Sequence, residues 1–113
     1  VADSGALLGT VMDVKHTRKH IFVGIDSGFS HLIRPALYGS YHHIFNLSNP
    51  SGALQSVNVV GNICESADVF AQERKLPKVR IGDLLLIADA GAYGYTMASD
   101  YNVRAKPKEV VID

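Results

Sequence analysis

The sequence predicts a small, mainly β domain, built as an antiparallel β-sandwich or barrel with short helical turns. Short runs rich in Val, Ile, Leu and Phe recur along the chain, and such residues favour strands. Clusters of Gly, Pro, Asn and Asp separate these runs, as turns do between short strands. The 113 residues contain no internal repeat and no linker. Residues 1–113 are therefore predicted to form one domain.

The first two strands are predicted to form a hairpin. Residues 6–15 are rich in Leu, Val and Met, and residues 21–25 are a compact apolar run. The charged segment 16–20 lies between them and supplies a polar connection. The Asp-Ser-Gly sequence at 26–28 then ends the second strand.

The remaining elements follow from the same two signals, apolar runs and turn residues. A short helical turn interrupted by Pro35 is expected within 30–38, since proline lacks a backbone donor. Residues 68–75 fit either a helix or a strand, and a strand is favoured. The other predicted elements are strands at 41–47, 54–60, 84–88 and 110–112, turns at 49–52, at Pro77 and at 81–83, and a short helix at 95–101.

Composition restricts the possible functions. Hydrophobic residues make up 47% of the chain and charged residues 19%, which is typical of a globular protein. The 11 basic and 11 acidic side chains cancel, and no basic stretch suggests a nucleic-acid partner. The longest apolar run, 84–88, is too short to cross a bilayer, so no membrane association is expected.

The number of cysteines and the first residues allow predictions about the cellular location and about a longer parent protein. Cys64 is the only cysteine, which excludes an internal disulfide and favours a cytoplasmic location. Residues 1–4 lack the charged and apolar regions of a signal peptide. The chain starts at Val1 rather than Met, so a piece of a longer protein is expected.

Three segments contain residues suited to chemistry. In 61–68, Cys64 is followed by Glu65, which places a possible proton donor beside a group that can bind a cation. A buried structural cysteine is the alternative.

Arg34 and Tyr38 are four residues apart, so a helical turn would point both to one side, where they could bind a carboxylate. The alternative is an exposed arginine with a packing tyrosine, and the residues alone favour it.

The third segment surrounds Tyr93, which lies between Gly91 and Gly94 after a predicted strand. Glycines there allow the backbone to approach a ligand and expose the ring at a strand end. A glycine-rich turn is the alternative. Of the 5 histidines, His16 and His20 have helical i, i+4 spacing but lie in a polar turn without the intervening Glu of a zincin. The adjacent His42 and His43 would face opposite sides of a strand. We interpret the histidines as surface or packing residues and predict no metal site.

In this order and spacing, the motifs at 34–39, 61–68 and 89–94, with residues 97–102, resemble the C-terminal half of diaminopimelate decarboxylases. These enzymes belong to the alanine-racemase-like group of pyridoxal-phosphate-dependent decarboxylases, and the resemblance covers essentially the whole chain. It implies that the chain is the C-terminal β domain of such an enzyme. The complete enzyme also has a (β/α)8 barrel, whose lysine holds the pyridoxal 5'-phosphate. It forms a homodimer with active sites at the subunit interface.

The resemblance also implies a role for each motif residue. Cys64 matches the catalytic cysteine that protonates the substrate carbon after CO2 leaves, and Glu65 matches the residue that binds the distal ammonium. Arg34 and Tyr38 match the pair that binds the substrate, with the distal carboxylate as the expected group. Tyr93 matches a tyrosine that contacts both cofactor and substrate.

The implied reaction converts meso-2,6-diaminopimelate to L-lysine and CO2 in lysine biosynthesis. The related ornithine decarboxylases have Cys-Asp where this chain has Cys64-Glu65, which favours diaminopimelate. Two alternatives remain: a domain of another decarboxylase of the group, acting on ornithine, arginine or a D-amino acid, or a stand-alone β module for binding or oligomerisation. The parent is expected to be a single-function enzyme or a fusion with aspartate kinase. We expect the isolated fragment to be inactive.

Overall fold

The computed structural model describes residues 5–27, 41–61 and 68–90, together with 108, 110 and 111. Within these ranges the regular structure consists of strands. They are β1 (Leu7–His16), β2 (Ile21–Ile25), β3 (Ile44–Asn46), β4 (Leu54–Val60), β5 (Val69–Pro77) and β6 (Leu84–Ile87). The helical turns predicted within 30–38 and 95–101 lie outside the described residues.

The strands form one 6-stranded sheet in the order β3-β6-β1-β2-β4-β5. Four neighbouring pairs are antiparallel, as the sequence predicts. The exception is β2 and β4, which run parallel and pair Val23 with Val59. A parallel pair requires a long crossover between its strands, and the chain from 26 to 53 provides it.

The sheet curls until its two edge strands meet, which gives a nearly closed barrel. Asn46 of β3 donates from Nδ2 to the carbonyl of Pro77 at 3.4 Å. Arg74 of β5 donates from Nη1 to the carbonyl of His42, just before β3, at 2.7 Å. Register shifts between Val57 and Val59 and around Met12 bend β4 and β1, since bulges increase strand twist and bending. The predicted small β barrel is confirmed.

The core fills the inside of this curled sheet. Alternate residues of β1 and β6 point inward, so Val11, Leu85 and Ile87 are almost fully buried, as the period of a strand requires. Burying a side chain of this kind contributes roughly 1.5–3 kcal/mol. The other buried apolar residues are Leu7, Val23, Ile25, Ile44, Val57, Val59, Phe70, Ala71, Leu76 and Val79.

The barrel has two different ends. At the first, which we call the turn end, the connections 17–20, 47–53 and 78–83 join consecutive strands. At the second, the motif end, β2, β4 and β6 finish and β1, β3 and β5 begin. The register shows this directly, because Leu7 and Ile44 both pair with Ile87, and Val60 pairs with Val69.

The strand predictions were accurate except at the C-terminus. The predicted strands at 21–25 and 54–60 have the bounds observed, and those at 6–15, 68–75 and 84–88 differ by a few residues at most. β3 is shorter than the predicted 41–47. The closing strand at 110–112 is wrong over its described part, because Val110 and Val111 are 72% and 90% exposed and are not in a strand. A short apolar run cannot form a strand without a neighbour to pair with.

Candidate active site

All five predicted site residues lie outside the described residues. Arg34 and Tyr38 lie in 28–40, Cys64 and Glu65 in 62–67, and Tyr93 in 91–107. Their roles therefore stay predictions. The residues that flank these three segments are described, however, and they fix where each segment joins the barrel.

All three segments join the barrel at the motif end. The first follows β2 and precedes β3, the second connects β4 to β5, and the third follows β6. The register pairs Gly24 with Val60 and places Ile44 beside Ile87, so these strand ends are neighbours in the sheet. The fold thus attaches the three predicted motifs to one end of one small domain.

The segment 62–67 is closed at its base by Gly61 and Asp68. Gly61 N donates to the carbonyl of Asp68 at 3.0 Å, and Asp68 is only 3% exposed. A Cβ on residue 61 would overlap the Asp68 carboxylate. Glycine at 61 leaves room for this buried carboxylate, while the backbone bond from Gly61 to Asp68 sets the spacing between the ends of the segment that contains Cys64 and Glu65.

The end of β2, which leads to Arg34 and Tyr38, is fixed by Asp26. Its amide donates to the carbonyl of Thr10 at 3.0 Å, and its Oδ1 accepts from the amide of Thr10 at 2.8 Å. This reciprocal pair extends the contact between β1 and β2 by one residue beyond Ile25. Ser27 follows and is buried, at 3% exposure.

The end of β6, which leads to Tyr93, forms a tight turn that we call the β6 exit turn (residues 88–90). Ala88 N donates to the carbonyl of His43 at 2.8 Å, and Ala90 N donates to the carbonyl of Gly5 at 2.9 Å. Asp89 between them has a φ of 57°, in the left-handed region that few residues other than glycine, Asn and Asp adopt. The chain therefore changes direction sharply at Asp89.

His42 and Arg74 hold this region together, and sequence reasoning missed both. His42 is buried, and its Nδ1 donates to the carbonyl of Ala88 at 2.9 Å. The Arg74 guanidinium lies 4.2 Å from the centroid of the Tyr41 ring, a cation–π contact. The alternation of buried and exposed residues from 41 to 47 fits the prediction that His42 and His43 face opposite sides. The bond to Ala88, however, joins residues too distant in sequence to predict.

The described residues do not form a site for the cofactor by themselves. A pyridoxal aldehyde needs a lysine amine held in a sheltered position, and a buried lysine is the kind whose pKa shifts enough to react. The described lysines 15, 19, 75, 78 and 108 are all exposed.

The described ranges contain neither a metal-binding cluster nor a membrane-spanning helix. No three His, Cys, Asp or Glu side chains there are grouped closely enough to hold a metal ion. Nor does that part of the chain contain a helix of the length and hydrophobicity needed to span a membrane.

Comparison with known proteins identifies the relatives of this chain. Residues 2–91 match the family model described as the C-terminal sheet domain of pyridoxal-dependent decarboxylases. The chain is 48% identical to a diaminopimelate decarboxylase from Archaeoglobus fulgidus, over 99% of this chain and 27% of that protein. It is 45% identical to the diaminopimelate decarboxylase of Methanothermobacter thermautotrophicus, over 99% of this chain and 26% of that one.

A solved structure agrees with these sequence matches. It is the diaminopimelate decarboxylase from M. jannaschii in complex with L-lysine, which superposes with a TM-score of 0.89 at 45% identity. The match covers 94% of this chain and 24% of that protein. The chain thus spans about a quarter of the length of the relatives it matches.

Proposed function

Since the chain belongs to the pyridoxal-dependent decarboxylase family, as its C-terminal sheet domain, we propose that the protein it forms part of is a meso-diaminopimelate decarboxylase. This enzyme converts meso-2,6-diaminopimelate to L-lysine and CO2 in lysine biosynthesis. The observation that carries the proposal is the 48% identity, over 99% of the chain, to the diaminopimelate decarboxylase from Archaeoglobus fulgidus.

Proton delivery is the first role that we propose for this chain. Pyridoxal 5'-phosphate, bound mainly by the rest of the protein, would supply the electron sink for the bond to the departing carboxylate. When CO2 leaves, the α-carbon takes up a proton from the Cys64 thiol, and the thiolate then regains a proton from solvent. A proton donor held at a fixed position contributes typically about 10²–10⁴-fold to such a step.

Substrate recognition is the second role. Glu65 binds the distal ammonium, and Arg34 with Tyr38 binds the distal carboxylate, the group that distinguishes diaminopimelate from lysine. Arginine suits this task because its planar guanidinium forms two parallel hydrogen bonds with a carboxylate. Substrates without the carboxylate would leave these donors unpaired, which disfavours them. Tyr93 contacts both the substrate and the cofactor.

The attachment of all three segments to the motif end supports this assignment. Groups that act on one substrate molecule must lie around it at the same time. Attachment to the same end of one domain keeps the starting points of the three segments close together. The closed base at Gly61 and Asp68 and the β6 exit turn fix two of the three starting points.

The partners follow from the same proposal. The domain packs with its own N-terminal barrel, and two subunits form a head-to-tail homodimer that completes each site. The enzyme acts in the cytoplasm, without nucleic acid or membrane partners. Its parent is a single-function enzyme or a fusion with aspartate kinase. The isolated fragment is inactive, because the described part of the chain offers only exposed lysines to the cofactor.

The full-length protein provides the test. CO2 release should be measured with meso-diaminopimelate, ornithine and arginine under identical conditions, with the isolated 113-residue fragment as the control. We expect release from diaminopimelate by the full-length protein alone. The fragment should release no CO2 and should show no visible absorbance band when titrated with pyridoxal phosphate. A full-length protein that prefers ornithine or arginine would refute the substrate assignment.

A further inference from the structure

The β6 exit turn is fixed more firmly than a simple loop would require. Three hydrogen bonds involve the backbone of two of its residues. The amide and the carbonyl of Ala88 and the amide of Ala90 are all paired, at 2.8–2.9 Å. Asp89 lies between them in the left-handed conformation, with a φ of 57°. Residues held in such conformations by their surroundings cluster at functional sites.

His42 makes one of these bonds at a cost to stability. Because a carbonyl can only accept, the bond to Ala88 O requires the proton on Nδ1. The neutral ring then presents Nε2 as an acceptor, and this buried atom has no hydrogen-bond partner among the residues that the structure describes. A buried acceptor without a donor is unfavourable. An apolar side chain would avoid this cost, but it would leave the Ala88 carbonyl without its donor.

His42 is itself anchored from the opposite edge of the sheet. Its carbonyl accepts from Arg74 Nη1 at 2.7 Å, and the guanidinium of Arg74 also contacts the ring of Tyr41. A continuous series of contacts therefore runs from β5 through Arg74 and His42 to Ala88. Its last member is the first residue of the β6 exit turn.

We propose that His42 and Asp89 are positioning residues for Tyr93. His42 acts through the carbonyl of Ala88, and Asp89 acts through its left-handed backbone. Together they set the direction in which the chain leaves β6. The role of Tyr93 belongs to the proposed function, so the catalytic part of this inference rests on it. The fixing of the turn itself does not.

Substitutions at His42 in the full-length enzyme distinguish the effect of the hydrogen bond to Ala88 from the effect of side-chain volume. In His42→Asn the amide nitrogen can occupy the place of Nδ1 and donate to Ala88 O, whereas His42→Leu keeps an apolar bulk and removes the donor. Since small displacements near reacting groups are costly, we expect kcat/KM to fall about tenfold or more for Leu and less than about threefold for Asn. His43→Leu is the matched control, because the ring of His43 is exposed and contacts Tyr41 and Phe45 rather than the carbonyl of Ala88.

Substitutions at Asp89 test the backbone conformation. Asp89→Asn and Asp89→Gly both accept a positive φ and should keep kcat/KM near the wild-type value. Asp89→Val introduces a β-branched side chain that disfavours this conformation, and it should reduce kcat/KM about as much as His42→Leu. Asp89 is exposed, so the valine side chain itself would not enter the core.

Hydrogen exchange at the amides of Ala88 and Ala90 provides a readout that does not depend on activity. Exchange should accelerate in His42→Leu and Asp89→Val and stay slow in His42→Asn and Asp89→Asn. Unchanged exchange in His42→Leu, or equal loss of kcat/KM in His42→Leu and His42→Asn, would overturn the inference. If the wild-type enzyme fails to decarboxylate diaminopimelate, the proposed function fails, while the exchange pattern still decides whether His42 and Asp89 fix the turn.

Discussion

The two ends of the barrel are built differently. At the turn end, one buried side chain bonds to two of the connections, 47–53 and 78–83. Asn46, at 2% exposure, donates to Lys78 O and Asp83 Oδ2 and accepts from the amides of Ser48 and Asn49. At the motif end, each strand end is fixed separately, by Asp26, by Gly61 with Asp68, or by His42.

This difference suggests a division of tasks between the two ends. A shared, fully paired polar network stabilises a fold and gives it a unique arrangement. At the motif end, several separate contacts instead fix the described residues from which the three segments start. The turn end should therefore govern stability, and the motif end should govern activity.

The largest expected effect tests the motif end at its proposed catalytic group. Cys64→Ala in the full-length enzyme should lower kcat by about 10²–10⁴-fold, because the proton donor is lost. KM and the thermal midpoint should change little. Steady-state kinetics and thermal denaturation measure these quantities. Wild-type kcat in this variant would exclude the thiol as the proton donor.

A second substitution tests the turn end. Asn46→Ala removes the partner of several backbone groups, and each buried group left unpaired costs about 1–3 kcal/mol. The thermal midpoint of the full-length enzyme should fall clearly, while kcat/KM at a temperature well below the midpoint should be unchanged. Asn49→Ala is the milder control, since its Nδ2 makes one bond, to Lys78 O. A loss of kcat in Asn46→Ala without any loss of stability would contradict the division of tasks.

A third and smaller effect is expected at Gly61. The added Cβ in Gly61→Ala would meet the buried Asp68 carboxylate, so this side chain at the base of the segment 62–67 must move. We expect kcat to fall about tenfold through displacement of Cys64. Gly24→Ala is the matched control in the same sheet, because its Cβ would lie 3.7 Å from Asp13 Cβ in ordinary contact. Equal activity of the two variants would show that the base of this segment does not position the thiol.

The sequence was sufficient for most of the strands but not for their arrangement. Apolar runs bounded by turn residues located β2 and β4 at their observed limits, because both signals are local. The parallel pairing of β2 with β4 and the meeting of β3 with β5 depend on residues far apart in the chain. The apolar run at 110–112 gave only a local strand signal, and that prediction was wrong over its described part, Val110 and Val111.

The candidate site shows the same limit. Residues whose side chains suit catalysis or binding, such as Cys64 and Arg34, could be named from residue type and from the resemblance to a family. Their roles stay predictions. His42 was interpreted only as a surface or packing residue, although its ring bonds to Ala88. The left-handed conformation of Asp89 was also missed, because aspartate occurs in many conformations and its sequence context gives no clear signal.

The most direct test of the whole account is a structure of the full-length enzyme with L-lysine bound. The central claim is that the motif end supplies groups to the active site. It predicts that Cys64 and Tyr93 lie within about 4 Å of the ligand or cofactor, in one site shared by two subunits. A ligand bound at the turn end, or a site that contacts neither residue, would contradict it.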